Sequence, residues 1–473
     1  MKNNIQYSRR LRMALLAGAV TICNTAACMA NPANDAYSVS FQAGRSGIGG
    51  TELMNLVAHQ GKLFAGTGFW EDGNPYEGPQ ILRLDSSHGN WRPEKTFSEK
   101  QSNGLPLWRR VDAMQEVTFS YDREGRPLPT PVSLLIAAND TYSPLGVFQK
   151  EVVANTVIYT RDDCSGTWER ASIPLKSAGI RSFGFYHDPT SNVDYVFAGT
   201  CGHSFVRGVY SEKAPGKIAW DPVPEGANPS VSSRIMSFCQ FQNHLYASTK
   251  PVVYEYTGGD KFQWQQRATY QDSPEHNVSG LRGLTAVECG KMIGVVEGLG
   301  SDSRVMDFFP ESTELNITSF LQSALGTDFL PAGVTGNREY GTDILGAYNN
   351  IPAVTDPLTR QTCYLVGLGL SAKRLCPFPG KAHSSWFLAR RSPSCWTVHE
   401  IPDLGGWTDP QPNPPAVRAI AVSPFAEDQG QVLFMGFYDA ADKVCHNTAH
   451  IYRVGLSTAL QPFSPPKPKT ASK

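Results

Sequence analysis

Hydrophobic positions along this chain fall in short alternating runs, the period-two pattern of half-buried strands, and turn residues separate the runs. One run that ends in small residues recurs seven times. Its copies are Leu63-Phe64-Ala65-Gly66-Thr67, Leu134-Leu135-Ile136-Ala137-Ala138, Tyr195-Val196-Phe197-Ala198-Gly199-Thr200 and Leu245-Tyr246-Ala247-Ser248-Thr249. The others are Met292-Ile293-Gly294-Val295-Val296, Tyr364-Leu365-Val366-Gly367 and Leu433-Phe434-Met435-Gly436. Each has an alternating strand upstream, such as Arg234-Ile235-Met236-Ser237-Phe238, and a third strand downstream, such as Gln80-Ile81-Leu82-Arg83-Leu84. A turn and a tryptophan-bearing fourth strand follow at Trp91, Trp168, Trp220, Trp264 and Trp396.

Four antiparallel strands per repeat make a propeller blade, and one such unit cannot bury both faces, so the units must stack in a ring. The expectation is an all-β chain folded as a single β-propeller of seven four-stranded blades. Two stacked β-sandwiches are the competing arrangement, but they leave the repeated strand order unexplained. The last repeat, ending in Ile451-Tyr452-Arg453-Val454, lacks a fourth strand. Tyr37-Ser38-Val39-Ser40-Phe41, ahead of the first repeat, is placed to supply it and pin the ring shut.

Composition agrees with many strands and turns: Gly (43) and Pro (34) are spread evenly, and charged residues make up only 18%. Residues 1–30 read as a cleaved export signal, with Lys2, Arg9, Arg10 and Arg12 before the apolar run Met13 to Val20 and small residues after it. Cys28 offers an alternative lipid anchor. The propeller is assigned to 31–461, and the Pro/Lys-rich 462–473 to a disordered tail. A periplasmic or secreted location follows, with no membrane span, because no later apolar run approaches the length of a bilayer-crossing helix. The formal charge of -1 argues against nucleic acid as a partner. Eight of the ten cysteines follow the signal, and the pairings Cys376–Cys445 and Cys363–Cys395 are the expected disulfides. No spacing suggests a metal site or a cofactor; Ca²⁺ in a propeller channel stays open. The chain is expected to be a monomer.

Tyr159-Thr160-Arg161-Asp162-Asp163-Cys164-Ser165-Gly166-Thr167-Trp168 resembles the Asp-box (BNR) turn of sialidase-like propellers, and Leu82 to Trp91 echoes it. In both copies the aspartate (Asp162, Asp85) stands four residues before the glycine, where the box has two. The resemblance implies a propeller in which the aspartate accepts turn backbone donors and the tryptophan packs between blades. In that family such boxes are structural, and three arginines bind the substrate carboxylate. No residue here matches its tyrosine nucleophile or its acidic partner.

Aligning the first strand of each repeat places Glu52, Arg110, Arg181, Arg234, Arg282, Asp343 and Arg418 at one level. Glu52 and Arg234 each stand thirteen positions before the marker alanine of the next strand, Ala65 and Ala247. Five arginines around a channel mouth would bind a carboxylate or phosphate bidentately. They would equally serve as a structural ring, bonding carbonyls of neighbouring blades. Glu52 and Asp343 are the candidate acid and base. Loops on the same face carry Trp70, Tyr142, His203, Trp386 and Tyr438, whose rings suit an acidic or neutral saccharide. His59 and His187 fall at the far end and receive no chemistry.

Three functions remain open: a propeller that binds an anionic or carbohydrate ligand, a glycoside hydrolase or polysaccharide lyase acting on acidic sugars, and a protein-interaction scaffold. For a lyase, Tyr142 or His203 would be the base.

Overall fold

The computed structural model describes residues 36–44, 48–69, 78–142, 153–201, 204–222, 234–250, 252–258, 263–269, 277–299, 303–308, 313–325, 342–346, 350–372, 385–402, 404, 416–438 and 449–462. They form an all-β chain built of antiparallel meanders, a β-propeller.

The first unit comprises Glu52–His59, Lys62–Gly68, Gln80–Leu84 and Arg92–Thr96. The second has a long inner hairpin, Trp108–Tyr121 and Pro127–Thr141, followed by Thr156–Arg161 and Trp168–Ile173. The inner strands of the third to seventh units are Ile180–Asp188, Ser237–Phe241, Asn277–Val287, Thr342–Gly346 and Ala416–Val422. Every copy of the recurring sequence run lies on the second strand of its unit. In the seventh unit Val432–Tyr438 pairs with Ile451–Gly455, and the fourth strand is Ser38–Phe41 from the amino-terminal end. Ser38 lies opposite Arg453, so one ladder joins the first and last described strands. Trp91 Nε1 donates to Ser40 Oγ at 2.9 Å, and the Phe41 ring meets Trp91 edge-on, fixing this strand against the first unit.

The apolar core is divided among seven clusters in the described residues, and each one is shared by two consecutive units. Phe64 and Ile81 of the first unit meet Val111 and Leu135 of the second. Leu53 and Leu56 of the first meet Ala419 and Phe434 of the seventh. This last cluster is a seam that brings the amino-terminal and carboxy-terminal units together. The inner strands of the seventh, first, second, third, fourth and fifth units neighbour one another in that order.

The small residue that ends each recurring run has a packing cause. A Cβ on Gly199 would collide with Ile235 of the next unit, and one on Gly436 would collide with Leu53 of the first. At both positions the inner strand of the following unit crosses the second strand of its predecessor, and only a small residue leaves room.

The Asp-box-like turn is formed as its residues imply. Asp162 Oδ1 accepts the Cys164 N–H, Oδ2 accepts the Ser165 hydroxyl, and Gly166 has φ 71°. Trp168 Nε1 reaches Glu94 of the preceding unit at 3.1 Å. The echo at 82–91 departs from this, because Asp85 pairs with Arg83 and Arg92 and caps no turn N–H among the described bonds.

The expected Cys363–Cys395 bridge is absent, and both thiols are free. Cys363 is on the second strand of the sixth unit, Cys395 on the fourth, with Ser385–Ser392 between them. Two strand spacings, roughly 9.5 Å, exceed the Cα separation a disulfide spans. Cys376 and Cys445 lie outside the described residues, as do residues 1–35 and 463–473.

Candidate functional site

The inner strands carry a repeated irregularity at one end. Their pairing register slips between Leu53 and Asn55, Val111 and Ala113, Ile180 and Ser182, and Val417 and Ala419. The residues left over in these bulges are Met54, Asp112, Arg181 and Arg418. A β-bulge bends the strand and re-aims the extra side chain. This corrects the expectation of one shared level. Glu52, Arg110 and Arg234 stand one residue before an apolar position (Leu53, Val111, Ile235), whereas Arg181, Arg282 and Arg418 stand one after (Ile180, Leu281, Val417). The bulges bring residues from both positions into contact.

The contacts form an arc across four units. Arg418 of the seventh unit lies over the Tyr438 ring at 4.0 Å and pairs with Glu52 of the first. Arg110 Nη1 of the second unit is 3.7 Å from the same carboxylate. Its Nε sits between Asp112, at 3.1 Å, and Asp140, at 3.2 Å. Arg109 Nη2 closes on Asp140 at 2.6 Å. Arg181 of the third unit reaches Asp112 at 3.3 Å, and Cys201 Sγ approaches that carboxylate at 3.5 Å. Every one of these side chains is buried.

Burial and repulsion shape the arginines differently. Burial pushes Arg181 down to about 10, and repulsion from Arg282, Arg110 and Arg234 adds to it while Asp112 opposes. Burial also brings Arg418 down to about 10. For Arg110 burial acts downward, but Asp112 and Asp140 together hold it above its ordinary value. All three remain charged at neutral pH.

Arg234 is distinct. It is only half-buried, and among the described residues it makes no ion pair or hydrogen bond. Its charge is nevertheless felt by Arg181. A half-buried guanidinium beside fully buried ones is the part of the cluster nearest to solvent.

The expected acid and base separate. Glu52 is fully buried and serves as counter-ion to two guanidiniums, which competes with any role as proton donor. Asp343 is opposite Ser371 in the sixth unit, and its side chain lies outside the described set. Trp70 and His203 also lie outside the described residues. Tyr142 and Trp386 are buried, so neither offers an open ring face to a sugar. Trp386 lies on the strand Ser385–Ser392, and the Tyr142 carbonyl accepts Gln101 Nε2 at 2.9 Å. Sequence reasoning missed Arg109, Asp112 and Cys201. Asp112 was within reach of it, because it stands two residues after Arg110.

Asp112, Asp140 and Cys201 hold donor atoms within 4.8 Å of one another. A cation there would have to displace Arg109, Arg110 and Arg181 from the carboxylates. Ca²⁺ requires six to eight oxygens, and this trio offers two carboxylates already engaged, so the set fits an ion-paired cluster better than a metal centre.

At the far end of the inner hairpins, His59 lies between Glu116 Oε2 (2.6 Å) and Asp163 Oδ1 (2.9 Å), tying the first unit to the second. His187 pairs with Asp194 at 2.8 Å.

No protein-family model matches this chain, and no curated protein does. Solved structures resemble it at low identity. The NanB sialidase of Streptococcus pneumoniae is 10% identical over 89% of this chain and 71% of its own, with a TM-score of 0.39. The α-L-arabinofuranosidase Arb93A of Fusarium graminearum is 12% identical over 90% and 99%, with a TM-score of 0.44. The periplasmic gluconolactonase PpgL of Pseudomonas aeruginosa is 15% identical over 82% and 95%, with a TM-score of 0.42.

Proposed function

We propose that this chain is an exported, seven-bladed propeller that binds an anionic small molecule, an acidic saccharide foremost, at the arginine cluster of its inner strands. The observation that carries the reading is Arg234, half-buried and without an ion pair among the described residues, beside Arg181, which already feels three like charges. A carboxylate, sulfate or phosphate there would relieve that repulsion and gain charge-assisted hydrogen bonds. Glu52, Asp112 and Asp140 act as counter-ions that hold Arg110, Arg181 and Arg418 in place. Export rests on the charged and apolar pattern of residues 1–30, and sequencing the mature amino terminus tests it.

The binding test is a thermal-shift screen of mature protein against glucuronate, sialate, sulfate, phosphate and neutral sugars. A ligand that binds only the folded state raises the melting temperature. An acidic sugar should shift the wild type, glucose should not, and Arg234→Ala should lose the shift while keeping its own melting temperature. Retention of the full shift in Arg234→Ala, or no response to any anion, overturns the reading.

A further inference from the structure

The carboxy-terminal segment is held to the propeller through one buried histidine. His399, on the outer strand Cys395–Ile401 of the sixth unit, has a fully buried ring. It stacks on Phe387 at 4.8 Å with the planes 12° apart. Its Nδ1 lies 3.0 Å from the Gln461 carbonyl, and its Nε2 lies 2.8 Å from Thr397 Oγ1. Arg391 Nη1 donates to that same hydroxyl at 2.9 Å.

These contacts form a directional chain. Arg391 donates to Thr397, whose hydroxyl proton is then free to go to Nε2. Nδ1–H donates in turn to the Gln461 carbonyl. Every group is satisfied when the ring is neutral. A second ring proton would meet the Thr397 hydroxyl donor-to-donor and put a cation near Arg391. The hydroxyl can turn only toward the Ala389 carbonyl, at 3.5 Å. The charged groups facing the ring are Arg391, which disfavours protonation, and Asp356, which favours it. The Ala459 and Gln461 carbonyls also favour protonation, and burial, the largest influence, outweighs them.

The carboxy-terminal segment comprises Leu456–Ala459 followed by Leu460 and Gln461. Leu456, Ala459 and Leu460 fill the cluster between the sixth and seventh units, and the Leu456 N–H donates to the Gln431 carbonyl of the seventh at 2.7 Å. One segment therefore bridges both units, with His399 as its polar tie to the sixth.

We propose that residues 456–461 form an acid-released latch across the sixth and seventh units, closed while the His399 ring is neutral and opened when it takes up a proton. Burial, the largest cause, holds this imidazole down to about 4 against an ordinary 6.5, in accord with the geometry. The sign follows by linkage. The released state binds the proton more tightly, so the closed state loses stability as pH falls from about 6.5 toward 4. At neutral pH the ring is uncharged in both states and the latch is at full strength.

Hydrogen–deuterium exchange of the full mature chain, corrected for intrinsic exchange rates, tests this. Protection of the 456–461 amides should fall roughly 10- to 100-fold between pH 7 and pH 4, while the inner strands of the third unit stay protected. His399→Gln can keep both hydrogen bonds without titrating, so it should hold the segment closed at both pH values. Unchanged protection in the wild type, an equal loss in the variant, or a uniform loss across the molecule would each overturn the latch. The imidazole's own NMR titration gives a second reading, which does not need the variant to fold. Protonation should coincide with the loss of protection, and a protonated ring under an intact segment would also sink the proposal.

Discussion

Glu52, in the first unit, is the buried counter-ion of Arg418, in the seventh, so one ion pair crosses the seam where the ring's ends meet. The seam also holds apolar contacts and neutral or singly charged hydrogen bonds, among them Arg453 Nε to Ser87 Oγ and the Ser87 N–H to Glu427 Oε1. Removing one partner of a buried pair strands the other charge, at a typical cost of about 3–5 kcal/mol. Glu52→Ala should therefore lower the urea midpoint strongly. Adding Arg418→Ala to it should cost less than the sum of the single changes. Additive losses would mean that the two side chains do not act as a pair.

Asp112 separates two guanidiniums, those of Arg110 and Arg181. Asp112→Asn keeps the shape and removes the charge, leaving the arginines to repel each other. A loss of about 3 kcal/mol is expected. Added sulfate should restore more of it than it adds to the wild type, because an anion can replace the missing carboxylate. Denaturation with and without sulfate, set against sodium chloride of equal ionic strength, reads this out. Equal sulfate effects on both proteins would argue against an anion at this position.

The strand order was legible because each unit repeats one local pattern, so the small residue closing its second strand could be found without knowing what lay across from it. Ser38–Phe41 was legible for a related reason, since one strand was missing at one end and one was spare at the other. The site was only partly legible. Period-two alternation locates Arg110 and Glu52, but a bulge adds one residue and leaves no mark in the alternation, so Arg181 and Arg418 were aligned to the wrong rung. Burial of loop aromatics was invisible for a different reason. Tyr142 reads the same in sequence whether its ring faces a ligand or the core. His399 gave no signal, because its role depends on Gln461, which is distant in the chain.

Gly436 supplies a test of the ring geometry that does not involve charge. A methyl group there would collide with Leu53 across the seam between the seventh and first units. Overpacking of this kind costs about 1–3 kcal/mol. Gly436→Ala should lower the melting temperature, and Leu53→Ala in the same chain should recover part of the loss despite creating space of its own. Failure of any such recovery would place Leu53 elsewhere.

Among the described residues the thiols divide by accessibility, which sets a chemical expectation. Cys164, in the turn beside Asp162, and Cys395, at the start of its strand, are exposed. Cys201, Cys239 and Cys363 are buried; burial pushes Cys239 up to about 12 and raises Cys363 as well. The thiolate is the reactive form. Iodoacetamide at pH 8 should therefore label Cys164 and Cys395 in the native protein and reach the other three only in denaturant. Peptide mass spectrometry distinguishes the cases, with and without prior reduction. If Cys395 resists labelling until a reductant is added, and Cys363 becomes reactive with it, the two are bridged. The sixth unit's second and fourth strands would then have to approach more closely than the intervening strand allows.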